Sequence, residues 1–323
     1  MDEVDGYLIS ILLPIGSKRP WLEACLHSIN EASNGLKTEL VIVLNNLSPS
    51  ETLKIKSIIL SLWERPIKIV SKESKNLAEI LNAGILNCSG QFIARIDDDD
   101  LMLVNRLHEQ LHAFIQNPRL VLVGSATQVI NVEEEKIRNN FYPTSHNEII
   151  KALRFGNSFA HSSVMMSKEA LYQVGLYSAD RNLAEDYHLW SKLSRIGSVM
   201  NINHPLISYR LSDSQLNSRH KEIQINSVKD VVMEIYKNEI ETNGTIPTGP
   251  LSFRISVLDR LNFNSHLISR QYFAIARLHA DSKYKWNRRT LSYLILSFFV
   301  NPQEFVRMSN VVINKRRVQA KNP

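Results

Sequence analysis

The sequence predicts an α/β protein, a doubly wound and mostly parallel sheet with helices on both faces, followed by a helical C-terminal segment. Two observations carry the prediction. Between Leu8 and Ile96, four short apolar runs alternate with segments of helical periodicity, which is the pattern of a parallel sheet covered on both sides. From Arg219 onward the periodicity is almost wholly helical, broken only by the Gly, Thr and Pro-rich stretch 244–250.

The first strand is Leu8–Leu13, closed by Pro14, Ile15 and Gly16 as a loop. A helix follows from Pro20 to about Ser33, with Trp21, Leu22, Cys25, Leu26 and Ile29 on one face. Glu39–Leu44 is the second strand. Ser48, Pro49, Ser50 and Glu51 then spell a capping box with proline at the first helical position, opening a helix to about Trp63. Ile67–Val70 is the third strand, and Leu77, Ile80, Leu81, Gly84 and Ile85 mark the third helix. Phe92–Ile96 is the fourth strand, and it runs straight into Asp97, Asp98, Asp99 and Asp100.

Beyond the acids, Leu107, Leu111, Phe114 and Ile115 form an amphipathic helix ended by Asn117 and Pro118. Leu120–Val123 and Ala126–Val132 read as two strands. Ser145 and Glu148 make a second capping box, Ser162–Met166 a strand, and Ser167–Val174 a short helix stopped by Gly175. Ala184–Ile196 is a helix with Glu185 and Asp186 in its first turn and Leu189, Trp190 and Leu193 on its buried side.

Composition narrows the class. Hydrophobic residues are 44% and charged residues 22%, as in ordinary soluble globular proteins. The two cysteines, Cys25 and Cys88, lie in apolar helical patterns and read as buried free thiols in a reducing compartment. The start, Met1 to Asp5, is acidic where an export signal is basic and then apolar, and Tyr293–Val300 falls short of the roughly 20 residues of a spanning helix. A cytoplasmic protein that does not cross the membrane is expected. Residues 251–323 hold 13 Lys and Arg against 3 Asp and Glu, leaving 25 against 29 for residues 1–250, so the net charge of +6 belongs to the tail.

Four adjacent carboxylates at a strand end raise one another's pKa unless a cation or a donor offsets them. In parallel sheets ligands bind beyond the carboxyl ends of the strands, where Pro14 to Ser17, Asn45 to Leu47 and the acidic run all fall. A solvated acidic cap for the next helix is the competing explanation.

The order of motifs resembles glycosyltransferase family 2, the inverting sugar transferases of the GT-A fold, in its bacterial polysaccharide and O-antigen type. The pieces are SILLP with LEACLHSI, NLAEILNAGI at Asn76–Ile85, ARIDDDDLMLVNRL at Ala94–Leu107, HSSVMM at His161–Met166, AEDYHLW at Ala184–Trp190 and LISYRL at Leu206–Leu211. The resemblance spans roughly residues 7–212. It implies a Rossmann-like GT-A domain at 1–218, with a nucleotide-sugar half to about 124 and an acceptor half at 125–218, and a basic helical extension at 219–323.

It also implies site residues. Asp97 and Asp99 match the DXD pair that holds Mn²⁺ or Mg²⁺, with Asp99 the direct ligand and Asp97 toward ribose or metal-bound water. Oxygen donors suit either ion. Asp98 and Asp100 tune that site or cap the next helix. Pro14, Ile15, Asn45, Asn76, Asp97 and Asp98 are implied on the nucleotide-sugar donor, and His161 and Glu185 on the acceptor. Asp186 is implied as the general base that takes the acceptor hydroxyl's proton. A structural histidine at His161, an electrostatic helix start at Glu185 and Asp186, and a core role for Trp190 are the plainer alternatives.

The chain departs from the family in two places. Asn45 and Asn46 stand where members carry an Asp that reads the base, and Gly16 and Ser17 replace an aromatic and an Asn. An amide both donates and accepts, so a UDP-sugar remains the favoured donor. No Gln-x-x-Arg-Trp element occurs, so one sugar is expected per encounter. The acceptor is a glycan or a lipid-linked glycan. Arg254, Arg260, Arg270, Arg277, Lys283, Lys285, Arg288 and Arg289 beside Leu, Ile and Phe suit either an anionic membrane surface on the inner face or ordinary packing helices. No groove-reading motif accompanies the charge, so no nucleic-acid partner is expected. A sugar nucleotidyltransferase and a degenerate binding module are the rival functions; the first lacks its Gly-rich phosphate loop here.

Overall fold

The structure, a computed structural model, describes residues 8–16, 20–154 and 156–211 and a few positions from 227 to 238. The chain divides into two compact units, and the strands and helices below belong to the first, residues 1–153 and 157–228. The helical expectation for 219–323 lies almost wholly outside the described residues.

The elements in order are β1 (Leu8–Ile15), α1 (Leu22–Ala32), β2 (Lys37–Leu44), α2 (Pro49–Leu62), β3 (Ile67–Ser71), α3 (Leu77–Ile85), β4 (Phe92–Arg95), β5 (Leu101–Met102), α4 (Arg106–Gln116), β6 (Leu120–Ile130), β7 (Lys136–Asn140), α5 (His146–Leu153), β8 (Met165–Ser167), α6 (Lys168–Val174), α7 (Glu185–Ile196) and β9 (Ser198–Arg210). They build one sheet in the order β3-β2-β1-β4-β8-β6-β9-β5, with β7 paired to β6. β3, β2, β1 and β4 are mutually parallel, and β6 and β9 pair in parallel. β8 enters antiparallel between β4 and β6.

β1 lies inside the sheet, between β2 and β4, because LISILLPI is apolar on both faces, and both faces are covered. Ile9, Ile11, Leu13 and Ile15 pack with Leu22, Leu26 and Ile29 of α1, Ile55 and Ile59 of α2, and Leu107, Leu111 and Phe114 of α4. Each such fully buried side chain stabilises the fold by roughly 1.5–3 kcal/mol. On the opposite face α3 sits so close that a Cβ on Gly84 would fall 2.2 Å from Leu12 Cδ1. α2 begins at the expected box, with the Glu51 N–H donating to Ser48 Oγ and the Ser48 N–H to Glu51 Oε2. The second box, Ser145 with Glu148, starts α5 in the same way.

Several expectations need correction. β1 runs through Pro14 to Ile15. Leu12 O accepts the Ile96 N–H while Ile15 O accepts the Asn45 N–H, so Pro14 turns its missing donor toward the side that β4 has already left. Leu120–Val123 and Ala126–Val132 are one strand, β6, whose register against β9 shifts around Ala126. Ser162 is not in a strand: His161–Ser163 is a single 3₁₀ turn, and β8 starts at Met165. β5, β7 and β9 add strands that apolar periodicity did not announce. Cys25 and Cys88 are buried free thiols, and Trp190 is fully buried core, both as expected.

Candidate active site

β4 delivers the acidic run to the carboxyl edge of the sheet, and the chain turns there, the Asp100 N–H donating to Asp97 O at 3.2 Å. Asp98, Asp99 and Asp100 are buried, whereas the Asp97 side chain keeps 34% of its surface. One carboxylate oxygen each from Asp97, Asp99 and Asp100 lies within 4.8 Å of the others. That spread is a little wider than the roughly 4.2 Å between opposite ligands around a Mg²⁺ at about 2.1 Å, so small side-chain rotations close it. Asp100 Oδ2 is buried without a hydrogen-bond partner among the described residues. Burial and the neighbouring Asp97 push the Asp100 carboxyl up to about 8. An all-oxygen set with a surplus of negative charge fits a hard divalent cation.

Three buried guanidiniums surround this turn. Arg95 Nη1 donates to Asp97 Oδ2 at 2.8 Å while Nη2 reaches Oδ1, a bidentate pair. Ser162 Oγ accepts from the same Nη1 (3.0 Å) and donates to Asp97 Oδ2 (2.8 Å), so the 3₁₀ turn docks onto the pair. Arg210, fully buried at the end of β9, donates through Nε to Asp99 O (2.8 Å) and through Nη2 to Glu134 (2.9 Å), and it lies 5.1 Å over the Trp21 ring. Its own N–H donates to Asp100 Oδ1 at 2.9 Å. Arg106 donates to the carbonyls of Arg95 (2.8 Å) and Val164 (3.0 Å). Burial, then the positive charge of Arg95, pulls Arg106 down to about 9.

The second carboxylate pair opens α7. Asp186 Oδ2 accepts from Asn157 Nδ2 at 2.6 Å and Oδ1 from the Tyr187 N–H at 2.6 Å. Burial raises its carboxyl above the ordinary range. Glu185 is more deeply set, 6% exposed, and burial followed by Asp186 raises it to about 7. The positive charge of Arg95 also lowers the carboxyls of Glu185 and Asp186, a minor effect beside the burial that raises each. His161 Nε2 meets Tyr177 Oη at 2.9 Å, and its ring lies edge-on to Trp190 at 5.8 Å. Burial, then Arg95, holds this imidazole well below its usual pKa, hence neutral.

The expected donor residues fare unevenly. Ile15 is fully buried in the core, and Pro14 pairs with Val43 inside the sheet. Asn45 Oδ1 accepts the Ser74 N–H (2.9 Å) and Asn46 Nδ2 donates to Ser74 O (2.9 Å), so the two amides clasp the loop after β3. Asn76 caps α3 through Oδ1 and donates to Ala179 O through Nδ2. Asp97, Asp98 and Asp99 gather in one turn at the end of β4, and Glu185 and Asp186 open α7. Sequence reasoning missed Arg95, Arg106, Asn157, Ser162, Tyr177 and Arg210. A charged residue inside an apolar strand just ahead of the acids was a usable sign for Arg95; nothing local marked Asn157.

A sheet of this order, with an acidic turn on its carboxyl edge and a separate carboxylate pair opening α7, resembles the GT-A fold. The profile described as Glycosyl transferase family 2 matches residues 10–176, and the chain belongs to that family. It is 30% identical over 261 residues to the amylovoran biosynthesis glycosyltransferase AmsE of Erwinia amylovora, covering 79% of this chain and 94% of that one. It is 31% identical over 208 residues to the O-antigen biosynthesis glycosyltransferase WbnJ of Escherichia coli, covering 63% and 80%. Among solved structures, S. aureus TarS 1-349 in complex with UDP-GlcNAc superposes with a TM-score of 0.55 at 12% identity, over 96% of this chain and 91% of that one. The mannosyltransferase PcManGT of Pyrobaculum calidifontis, in complex with GDP-Man and Mn²⁺, gives 0.52 at 15%, over 94% and 79%. The protein is a glycosyltransferase. Among the described residues, no helix is long and apolar enough to cross a membrane.

Proposed function

We propose that this glycosyltransferase is inverting, metal-dependent and non-processive, and that it moves one sugar from a UDP-sugar to a hydroxyl of a glycan or lipid-linked acceptor in surface polysaccharide synthesis. Residues 1–218 form the transferase domain in this proposal and 219–323 its extension. The observation that carries it is Asp186, a partly buried carboxylate held by the Asn157 amide and the Tyr187 N–H and lowered in part by the Arg95 that grips Asp97.

Asp186 takes the proton of the acceptor hydroxyl as that oxygen bonds to the anomeric carbon from the face opposite the diphosphate. The carbon–oxygen bond to the diphosphate breaks, its electron pair leaves with the nucleotide, and configuration inverts. Burial, which raises Asp186, makes it a stronger base than a solvated aspartate. Asp99 and Asp100, with Asp97 beside them, would hold Mn²⁺ or Mg²⁺. Such an ion, when bound, neutralises charge growing on the departing diphosphate. Arg95 and Ser162 fix Asp97, and the neutral His161 with Glu185 lines the acceptor side.

Support for the donor and acceptor comes from relatives. WfgD of Escherichia coli, 25% identical over 228 residues, is a UDP-Glc:α-D-GlcNAc-diphosphoundecaprenol β-1,3-glucosyltransferase. A lipid-linked acceptor places the enzyme at the inner face of the cell membrane, and the basic residues 251–323 are the candidate contact. A thermal-shift panel of UDP-, GDP- and dTDP-sugars with and without Mn²⁺ tests the donor: metal-dependent stabilisation by a UDP-sugar is expected, and none from any donor points to an inactive module. Asp186→Asn is expected to abolish transfer while leaving donor binding nearly intact; surviving activity removes Asp186 as the base.

A further inference from the structure

Asn157 stands in the loop before the His161–Ser163 turn, and its amide can sit only one way. Oδ1 accepts the Phe159 N–H at 3.1 Å, which leaves Nδ2 to face Asp186 Oδ2 at 2.6 Å. The opposite oxygen, Oδ1 of Asp186, takes the Tyr187 N–H at 2.6 Å. Both carboxylate oxygens are thereby held, one by a side chain and one by the backbone. We propose that Asn157 is a positioning residue for the general base: locked by Phe159, its N–H orients the Asp186 carboxylate and holds it in the ionised form. The inference rests on Asp186 being the base.

The physical ground is directional. An amide nitrogen only donates, so at 2.6 Å it favours an oxygen carrying charge over one carrying a proton. Burial works against it by raising Asp186. The charged or titratable groups acting on Asp186 include Glu185 beside it on α7, Arg95 from β4 and the buried phenol of Tyr177 after α6. Substitutions at 157 leave these three in place, so a change in Asp186 ionisation reports on the amide.

The experiment uses the full chain labelled with ¹³C at the aspartate carboxyls, titrated by NMR, with the Asp186 signal assigned as the one absent from D186N. Asn157→Ala is expected to raise the Asp186 midpoint by about one pH unit, the order of one lost hydrogen bond to a charged group. Asn157→Asp keeps an acceptor for Phe159 but sets carboxylate against carboxylate, and it is expected to raise the midpoint further. Because the new charge alone would do this, Asn157→Leu, close in size and unable to donate, supplies the answer if the alanine variant does not fold. An unchanged midpoint in the folded variants overturns the proposal. In transfer assays the acidic limb of kcat/KM is expected to move with the midpoint. A shifted NMR midpoint with D186N still active leaves the amide's action standing and defeats only the assignment of the base.

Discussion

Replacing Arg95 by Met removes the buried cation that pairs with Asp97. The guanidinium is 2% exposed and makes a bidentate pair with Asp97, whose side chain is 34% exposed. Stranding one partner of a fully buried pair costs about 3–5 kcal/mol, and the part of Asp97 that reaches water brings the expectation down to roughly 2–3 kcal/mol. For a domain of this size that is a fall in melting temperature of about 5–10 °C. Urea unfolding of four proteins isolates the pair: wild type, Arg95→Met, Asp97→Asn and the double variant. With both charges gone no stranded carboxylate remains, so the double variant is expected to be more stable than the sum of the single losses by about 2 kcal/mol. Losses that simply add, within about 0.5 kcal/mol, would refute the claim that Arg95 serves chiefly as the partner of Asp97.

Glu185, raised from an ordinary 4.5 to about 7, keeps its proton in the folded state over a pH range where the unfolded chain has lost it. Its stabilising contribution is therefore present below 4.5 and disappears as pH rises toward 7, and Glu185→Gln is expected to flatten this decline by on the order of 3 kcal/mol between pH 4 and 8; parallel stability curves would contradict it. Asp99→Asn and Asp100→Asn are each expected to shrink the rise in melting temperature produced by Mn²⁺, while Asp97→Asn keeps more of it because Arg95 already neutralises that carboxylate. A Mn²⁺ response lost only in Asp97→Asn would reverse that ranking. A Cβ at Gly90 falls 2.6 Å from both Leu8 O and Ser10 N, which are backbone atoms unable to step aside, so Gly90→Ala is expected to cost at least about 3 kcal/mol in a melting assay. Wild-type melting would show that β1 and β4 adjust.

The elements most legible in the sequence are those set by near neighbours. The two Ser-x-x-Glu boxes open α2 and α5 because cap and partner are three residues apart. The apolar runs of β1 to β4 announce a sheet buried on both faces. What escaped is set by distant partners. The place of β8, reversed between β4 and β6, follows from pairings that no local period encodes, and β7, KIRNN, is polar because it lies exposed beside β6. Arg95, Arg106 and Arg210 look like surface residues by composition, and their burial is tolerable only because carbonyls and carboxylates from other elements converge on them. The aspartates were legible as a ligand-edge cluster, whereas their counter-charges were not. Asn45 and Asn76 looked available to a donor, yet each serves a loop or a cap.

The grip of Arg210 on the acidic turn also sets a schedule. Asp99 and Asp100 leave the ribosome 111 and 110 residues before the arginine that fastens them. At about 5–20 residues per second this is a wait of roughly 5–20 s during which the carboxylates have no final place. β5 waits with them, because its partner in the sheet is the same late strand, β9. The acidic turn is thus fastened only after Arg210 has been made, and a chain released before it would carry four aspartates without the arginine that holds them.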